Sequence, residues 1–524
     1  MQEYNLPLKE TLTKGLRPYS QHGRGFNFLT QCKFLKPREW GLRPCADVSD
    51  PFATTKFSTW PFAQMLRGKA VTLLAEATSL KVVTEASPNW TVGDAVTTYD
   101  LNDPASTKSI TGSDVWHMAD FYDSWMLFNG TSVVVKTNKE GMFGETNNVF
   151  VQNAIAIQTG CDFPGRAIMG GFSPASYFST SWDAIWDDWL LHAPFTLDMT
   201  LDDVDTNFVM WTTIGGGDLL NLFLPDMAVD GVIKEDKRTT RDGMFLELWR
   251  RNEAGFMPMP WQGTVLVVKP LGNGVMVYGD DGIAFMPHVT DPYPTFGLRK
   301  LGAFGIGGRG CVGGDNSTHI FLDTAGVLWR ISSENYSLQK LGYEEVFDGL
   351  VDQKVVISYN QRDNEYIISG EDSSNNALSY VLTPTGLGQS PQQVTSAYTV
   401  EGALLGVFST DASTIPIAVT DVLDFGYRDL KTITTVELGI EVTTDATTHV
   451  AVDYRYNKDD SWTRSTWVLV NDMGFARIQA TANEFRVAVK CSKYADMKLD
   501  YINVKWQSSG RRTVRGLHAG EAYK

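Results

Sequence analysis

The sequence predicts an all-β chain: a β-propeller with inserted segments, followed by a C-terminal antiparallel β-sandwich-like domain. Three observations predict it. Helical periodicity is scarce along the 524 residues. Turn signals flanked by apolar runs recur at steps near those of a four-stranded propeller blade, about 40–50 residues. Past residue 421 the texture changes to short runs in which polar and apolar residues alternate, the pattern of sheets with one buried face.

Taken in chain order, residues 1–60 come first. Their stretch "RPYSQHGRGFNFLTQCKFLKPREWGLRPCADVSDPF" is rich in Pro, Gly, Arg and aromatics and has no clear period. It is expected to be an extended N-terminal arm that wraps over another part of the fold or another subunit. Residues 61–420 are expected to form the propeller. "WMLFNGTSVVVK" (125–136) sets Asn129-Gly130 between two apolar runs. Asn-Gly is a strong hairpin signal because a tight type I′ turn needs positive φ at both central residues. "FVMWTTIGGGDLLNLFL" (208–224), "GVMVYGDDGIAFM" (274–286) and "HIFLDTAGVLWRI" (319–331) repeat the pattern. "VVISYNQRDNEYIIS" (355–369), "ALSYVLTPTGLG" (377–388) and "GVFSTDASTIPIAV" (406–419) extend it.

The steps between these turns are 45 residues from Asp281 to Gly326, 37 to Asp363 and 48 to Asp411. Gly130 to Gly216 is 86, close to two steps, whereas Gly216 to Asp281 is 65 and implies an insertion near 225–260. A second insertion is expected near 141–207. The blade count predicted from this spacing lies between five and eight. Two stretches read as amphipathic helices, "SWDAIWDDWLL" (181–191) and "DGMFLELWRRN" (242–252), with apolar residues three and four apart. Their tryptophans, Trp182, Trp186, Trp189 and Trp249, are expected as core or interface anchors.

"AFGIGGRGCVGG" (303–314) contains Gly305, Gly307 and Gly310 in the G-x-G-x-x-G spacing of dinucleotide sites. That spacing cradles a pyrophosphate only where a strand precedes it and a helix follows. A strand-like run follows here, so the glycines are expected to permit close packing in the crowded centre of a propeller.

From 421 to 506, "DVLDFGYRDLKTITTVELGIEV", "HVAVDYRYNKDDSWTRSTWVLV", "GFARIQATANEFRVAVKC" and "MKLDYINVKWQ" predict about six to eight strands of a sandwich. Residues 507–524 form a basic C-terminal tail. Arg511, Arg512 and Arg515 in it are the candidate residues for docking on an acidic partner.

The body itself is acidic, with 61 Asp plus Glu against 45 Lys plus Arg and a net charge of −16. Such a surface repels a phosphate backbone and argues against a duplex-gripping protein, although a passage for DNA should not retain it. Five scattered cysteines without a C-x-x-C fit neither structural zinc nor a disulfide framework. The N-terminus lacks the apolar core of a signal peptide, and no apolar run is long enough for a transmembrane helix. Signatures of zinc hydrolases, serine hydrolases and P-loop enzymes are absent. The acidic pairs Asp187-Asp188, Asp202-Asp203, Asp280-Asp281 and Asp459-Asp460 read as turns and solvated faces. "LDDVDTN" (201–207) lacks the Gly and terminal Glu of a calcium loop. No catalytic residue, metal ligand or cofactor site is therefore expected.

The phrases "GLRPCADVSDPF", "WPFAQMLRGKAVTLLAE", "GVMVYGDDGIAFM", "THIFLDTAGVLWRI", "LGYEEVF" and "VVISYNQRDNEYIIS" resemble, in their order along the chain, tail nozzle (tubular tail) proteins of short-tailed bacteriophages. The resemblance implies a β-propeller with extra β domains. It also implies six copies around a channel, beneath the portal and its adaptor-ring proteins. Its implied role is to retain the genome and pass double-stranded DNA during ejection, with attachment surface for tail fibres or spikes. It implies no enzyme, and a protein made in the host cytoplasm that resides in the virion. The competing expectation is a phage carbohydrate-binding or glycoside-hydrolysing propeller acting on host surface polysaccharide, since fold alone does not separate the two.

Overall fold

The computed structural model describes residues 3–18, 28–45, 64–69, 71–84, 91–100, 106–112, 115–120, 125–136, 149–152, 156–173, 206–211, 228–229, 232–233, 255–290, 295–400, 403–410, 415–426, 429–441, 446–492 and 497–509. Among them strands dominate. The helical pieces are Lys9–Lys14, Glu344–Phe347 and the 3-10 turn Asp352–Lys354.

Six antiparallel meanders of four strands follow one another along the chain. Blade 1 is Gln64–Arg67, Thr72–Ala75, Leu80–Thr84 and Thr91–Ala95. Blade 2 is His117–Asp120, Trp125–Phe128, Val133–Lys136 and Val149–Gln152, with Thr98–Asp100 added in parallel at its outer edge. Blade 3 is Ala156–Asp162, Ala167–Ser173, Phe208–Trp211 and Gly255–Pro258. Blade 4 is Val265–Leu271, Gly274–Gly279, Ile283–Val289 and Arg299–Gly302. Blade 5 is Val312–Gly314, Thr318–Leu322, Leu328–Ser332 and Leu338–Gly342. Blade 6 is Val356–Asn360, Glu365–Glu371, Ala377–Leu382 and Leu387–Gln389. A hairpin, Gln392–Val400 with Ala403–Thr410, comes next.

Strands covered on both faces must be apolar at consecutive positions, and the middle strands are. "WMLF" at Trp125–Phe128 and "GVMVYG" at Gly274–Gly279 are buried throughout.

The first strands of all six blades line one cavity, and adjacent blades are stitched together there. The Trp116 N–H donates to Gln64 Oε1 at 2.6 Å, joining blades 1 and 2. The Val268 N–H of blade 4 donates to Thr159 Oγ1 of blade 3 at 3.0 Å. The Ile306 N–H donates to the Gly279 carbonyl on the way from blade 4 to blade 5, and the Ile357 N–H of blade 6 donates to the Gly310 carbonyl, both at 2.9 Å. The hairpin closes the circle. Ser358 Oγ donates to the Val394 carbonyl at 3.1 Å, and the Met65 N–H of blade 1 donates to Ser396 Oγ at 2.8 Å. The ring is thus six blades with a hairpin in a seventh position.

Several expectations about the hairpins need correction. The turns at Gly130, Gly282 and Gly326 join second and third strands, but the turn near Asp363 joins the first two strands of blade 6. That change of place within the blade produces the irregular 37-residue step, while the 48-residue step ends at Asp411, outside the described residues. No hairpin spans 406–419. Ala403–Thr410 pairs backward with Gln392–Val400, while Ile417–Thr420 leaves the ring to pair with Leu29–Lys33 and Glu484–Cys491. Within the expected insertion at 141–207, residues 149–152 and 156–173 are blade strands. The long intervals 174–205 and 212–254 fall inside blade 3, after its second and third strands. The two amphipathic helices, with their tryptophans, lie outside the described residues.

The sandwich has two sheets. One contains Glu3–Pro7, Leu35–Arg38, Gly41–Pro44, Lys498–Ser508, Lys431–Glu441 and Phe475–Ala482. The other contains Leu29–Lys33, Ile417–Thr420, Glu484–Cys491 and Thr448–Arg455, edged by Thr463–Arg464 and Val468–Leu469. Alternation sets the core: Ala476, Ile478, Ala480 and Ala482 face Val450, Val452, Phe485, Val487 and Val489 in one cluster, whereas Ala451 and Ala488 fall on the other face.

Residues 3–44, expected as an extended arm, contribute strands to both sheets. Their period is hidden because the strands are four or five residues long and carry Pro7, Pro37 and Pro44. Leu29–Lys33 also pairs in parallel with the outer strand of blade 6, at Lys33 and Gln389, so ring and sandwich share one ten-stranded sheet. Beside that joint Glu365 is buried against two cations, Lys36 Nζ at 2.7 Å and Arg38 Nη2 at 2.5 Å.

Candidate functional site

The cavity on the ring axis holds about 780 Å3. Short bonds show that the first strands of blades 1, 2 and 3 run in the same direction around it. Just past the end of the first strand of blade 1, Lys69 Nζ reaches the Asp120 carbonyl at 2.9 Å and Asp162 Oδ2 at 3.0 Å. Asp120 and Asp162 end the first strands of blades 2 and 3.

At the opposite end the glycine-rich segment closes the ring. Between blades 4 and 5 the chain swings across to blades 2 and 3. Arg309 Nε donates to the Gln158 carbonyl at 2.6 Å, and Nη2 donates to the Phe128 carbonyl at 3.0 Å. Glycine is required along this path. A Cβ on Gly305 would sit 2.1 Å from the carbonyl carbon of Asp280, and one on Gly310 would sit 2.2 Å from the Val355 carbonyl oxygen. The strand Val312–Gly314 follows where a dinucleotide site needs a helix, and Gly307 packs on the Asp352 carboxylate, so G-x-G-x-x-G here is a packing device.

His117 stands at this closed end. Its Nε2 lies 3.2 Å from the Arg309 carbonyl, which can only accept, so Nε2 carries the proton. Nδ1 then accepts from Thr159 Oγ1 at 2.7 Å. Burial, with the Arg309 and Lys269 charges nearby, holds this imidazole well below the ordinary histidine range and keeps it neutral.

Lys269, in the first strand of blade 4, also lines the cavity. It is half-buried, and burial pushes its ammonium down to about 8 against the opposing pull of Asp315. The Cys161 thiol is pushed well above its ordinary value by burial and by Asp162, so it is a protonated core thiol.

Among the described lining residues the charges are Arg67, Lys269, Arg309 and Arg362 against Asp162. Glycoside hydrolysis in its usual forms needs two opposed carboxylates about 5–10 Å apart. The lining provides one, already engaged by Lys69. Nor is the cavity a route for a duplex. A sphere of that volume is roughly 11 Å across, narrower than the major groove alone at about 12 Å.

The residues singled out by sequence fall elsewhere. Arg511, Arg512 and Arg515 lie outside the described residues, as do Asp187-Asp188 and Asp202-Asp203. Asp280-Asp281 is an exposed turn, and Asp460 Oδ2 accepts the Asn457 N–H at 2.8 Å within another. All five cysteines are buried free thiols. Among the described residues no group of three or more His, Cys, Asp or Glu could hold a metal ion, and no helix is long and apolar enough to cross a membrane. Sequence reasoning missed Lys269 and His117. The available signal for Lys269 was a lysine inside the apolar run "VLVVKPL", since lysine is rarely buried without a partner.

No family model and no curated protein matches the chain. Solved structures give weak likenesses. A computationally designed protein, Ika8, is 10% identical, with 70% of this chain and 95% of that one covered and a TM-score of 0.31. An exo-beta-1,3-galactanase from Phanerochaete chrysosporium is 9% identical, with 88% and 98% covered and a TM-score of 0.28. PorZ, a bacterial surface component of the type-IX secretion system of Porphyromonas gingivalis, is 8% identical, with 78% and 46% covered and a TM-score of 0.27. Likeness at this level carries no argument about what the chain does.

Proposed function

We propose that the chain is a structural virion protein, the distal nozzle of a short phage tail, and not an enzyme. Six copies would form a closed ring by head-to-tail contacts, retain the genome and pass double-stranded DNA between them. Portal-adaptor ring proteins and tail fibres or spikes would be its neighbours, with Arg511, Arg512 and Arg515 meeting an acidic one.

One observation carries the proposal. An acidic body of net charge −16 is built as a ring and sandwich fused by a shared sheet, and its axial cavity is too narrow for a duplex. A conduit made of such units would have to run between copies, where like charge minimises retention of DNA. The phrases shared with nozzle proteins support the same role.

The second reading, a carbohydrate-binding or glycoside-hydrolysing propeller, is favoured by the axial cavity and disfavoured by its single lining carboxylate among the described residues. Electron microscopy of the purified protein, alone and mixed with portal–adaptor complexes, tests the proposal. Rings of six seated below the portal are expected. Monomers that never join a portal, or release of reducing sugar from host envelope, would overturn it.

A further inference from the structure

We propose that the axial cavity is a binding site for a small oxyanion, a phosphate or carboxylate group on a small molecule, seated on Lys269. Four of the five charged residues lining the cavity are cationic, in a chain whose net charge is −16. Among the described lining residues, Asp162 is bound by Lys69 at 3.0 Å and Arg362 is paired with Asp363 at 2.8 Å, so Lys269 and the carbonyl-bound Arg309 keep the interior positive.

Lys269 is the exceptional cation. Its ammonium makes no hydrogen bond or ion pair with any described residue, and the side chain is half-buried in the cavity wall. A charge drawn partly out of water with no counter-ion in contact is destabilised. An anion bound beside it would offset that cost through charge-assisted hydrogen bonds. The segment carrying Arg309 lines one end of the cavity, whose volume of about 780 Å3 lies within the range of small-molecule sites. Neutral solutes gain nothing from the lysine, so charge should select the occupant.

The site is independent of the conduit proposal and can be tested on the purified full chain. Isothermal titration at constant ionic strength would use inorganic phosphate, glucuronate and, as the neutral control, glucose. Saturable binding of phosphate, glucuronate or both is expected, and glucose should give none. Which anion binds identifies the source as a phosphate- or carboxylate-bearing molecule. Lys269→Met should weaken binding about tenfold or more, and Lys269→Arg should stay within about threefold of the native protein. Unfolding curves would confirm that Lys269→Met is folded, with Lys269→Gln in reserve. No saturable heat from either anion, equal binding by Lys269→Met, or glucose binding as well as glucuronate would each overturn the site.

Discussion

His319 shows at the scale of one residue how the packed blades control protonation. The ring is fully buried, with Nδ1 2.9 Å from Tyr278 Oη and Nε2 3.0 Å from the Pro270 carbonyl. Burial first, then the Lys269 charge, pushes it down to about 3, against the weaker pull of Asp315. The folded protein therefore holds it neutral where the unfolded chain, with an ordinary value near 6.5, takes up a proton. Its contribution to stability is intact above about pH 6.5 and is lost as pH falls toward about 3, at a rate on the order of 1 kcal/mol per pH unit. Urea unfolding at pH 7 and pH 4 checks this: His319→Gln should lose less stability between the two than the native protein. A glycine pair gives a second test. In Gly305→Ala the new Cβ would press on the Asp280 backbone, whereas nothing lies within 4 Å of the Cβ position at Gly349. The first should cost roughly 2 kcal/mol or more and lower the thermal midpoint. Gly349→Ala should change stability by less than about 1 kcal/mol.

The joint between blade 6 and the sandwich decides matters at the scale of elements. Glu365 is 2% exposed and faces Lys36 and Arg38, so neutralising it strands a buried ammonium. Glu365→Gln should destabilise by about 3–5 kcal/mol, read from chemical denaturation. On the outer face of the sandwich, Trp462 lies between Arg455 at 4.4 Å and Arg486 at 4.1 Å. Trp467 next to it lies 4.3 Å from Lys490 and 5.3 Å from Arg464. These stacks pin the connection after Thr448–Arg455 onto its sheet. Trp462→Ala should cost about 1–2 kcal/mol and expose residues 456–466 to faster limited proteolysis. The hairpins were legible at this scale because Asn129-Gly130 and Asp281-Gly282 announce tight turns by their own backbone preferences. The N-terminal strands were not, since Gly41–Pro44 takes its second partner, at Leu499, from more than 400 positions away and Leu35–Arg38 pairs with Gly41–Pro44 alone.

For the molecule as a whole, one shared sheet joins ring to sandwich, and the net charge of −16 sets what the protein repels. If the acidic body lines a conduit, the purified protein should not retain duplex DNA in gel-shift or filter assays at about 0.1 M salt, where charges more than about 10 Å apart are screened. Micromolar retention there would count against a passage that works by repulsion.

The sequence by itself determined the all-β class, the tight turns at Asn129-Gly130 and Asp281-Gly282 and the alternating texture of the sandwich, because these follow from local turn chemistry and from which side of a strand must be dry. It also dictated that Gly305 and Gly310 favour close approach. Tertiary structure alone decided that residues 3–44 complete the sandwich, that Gln392–Val400 closes the ring, and that Lys269, His117 and Arg309 meet at one cavity. Each of those outcomes depends on pairings between distant segments, whose register is set by the faces they bury together and leaves no trace in the local pattern of either partner.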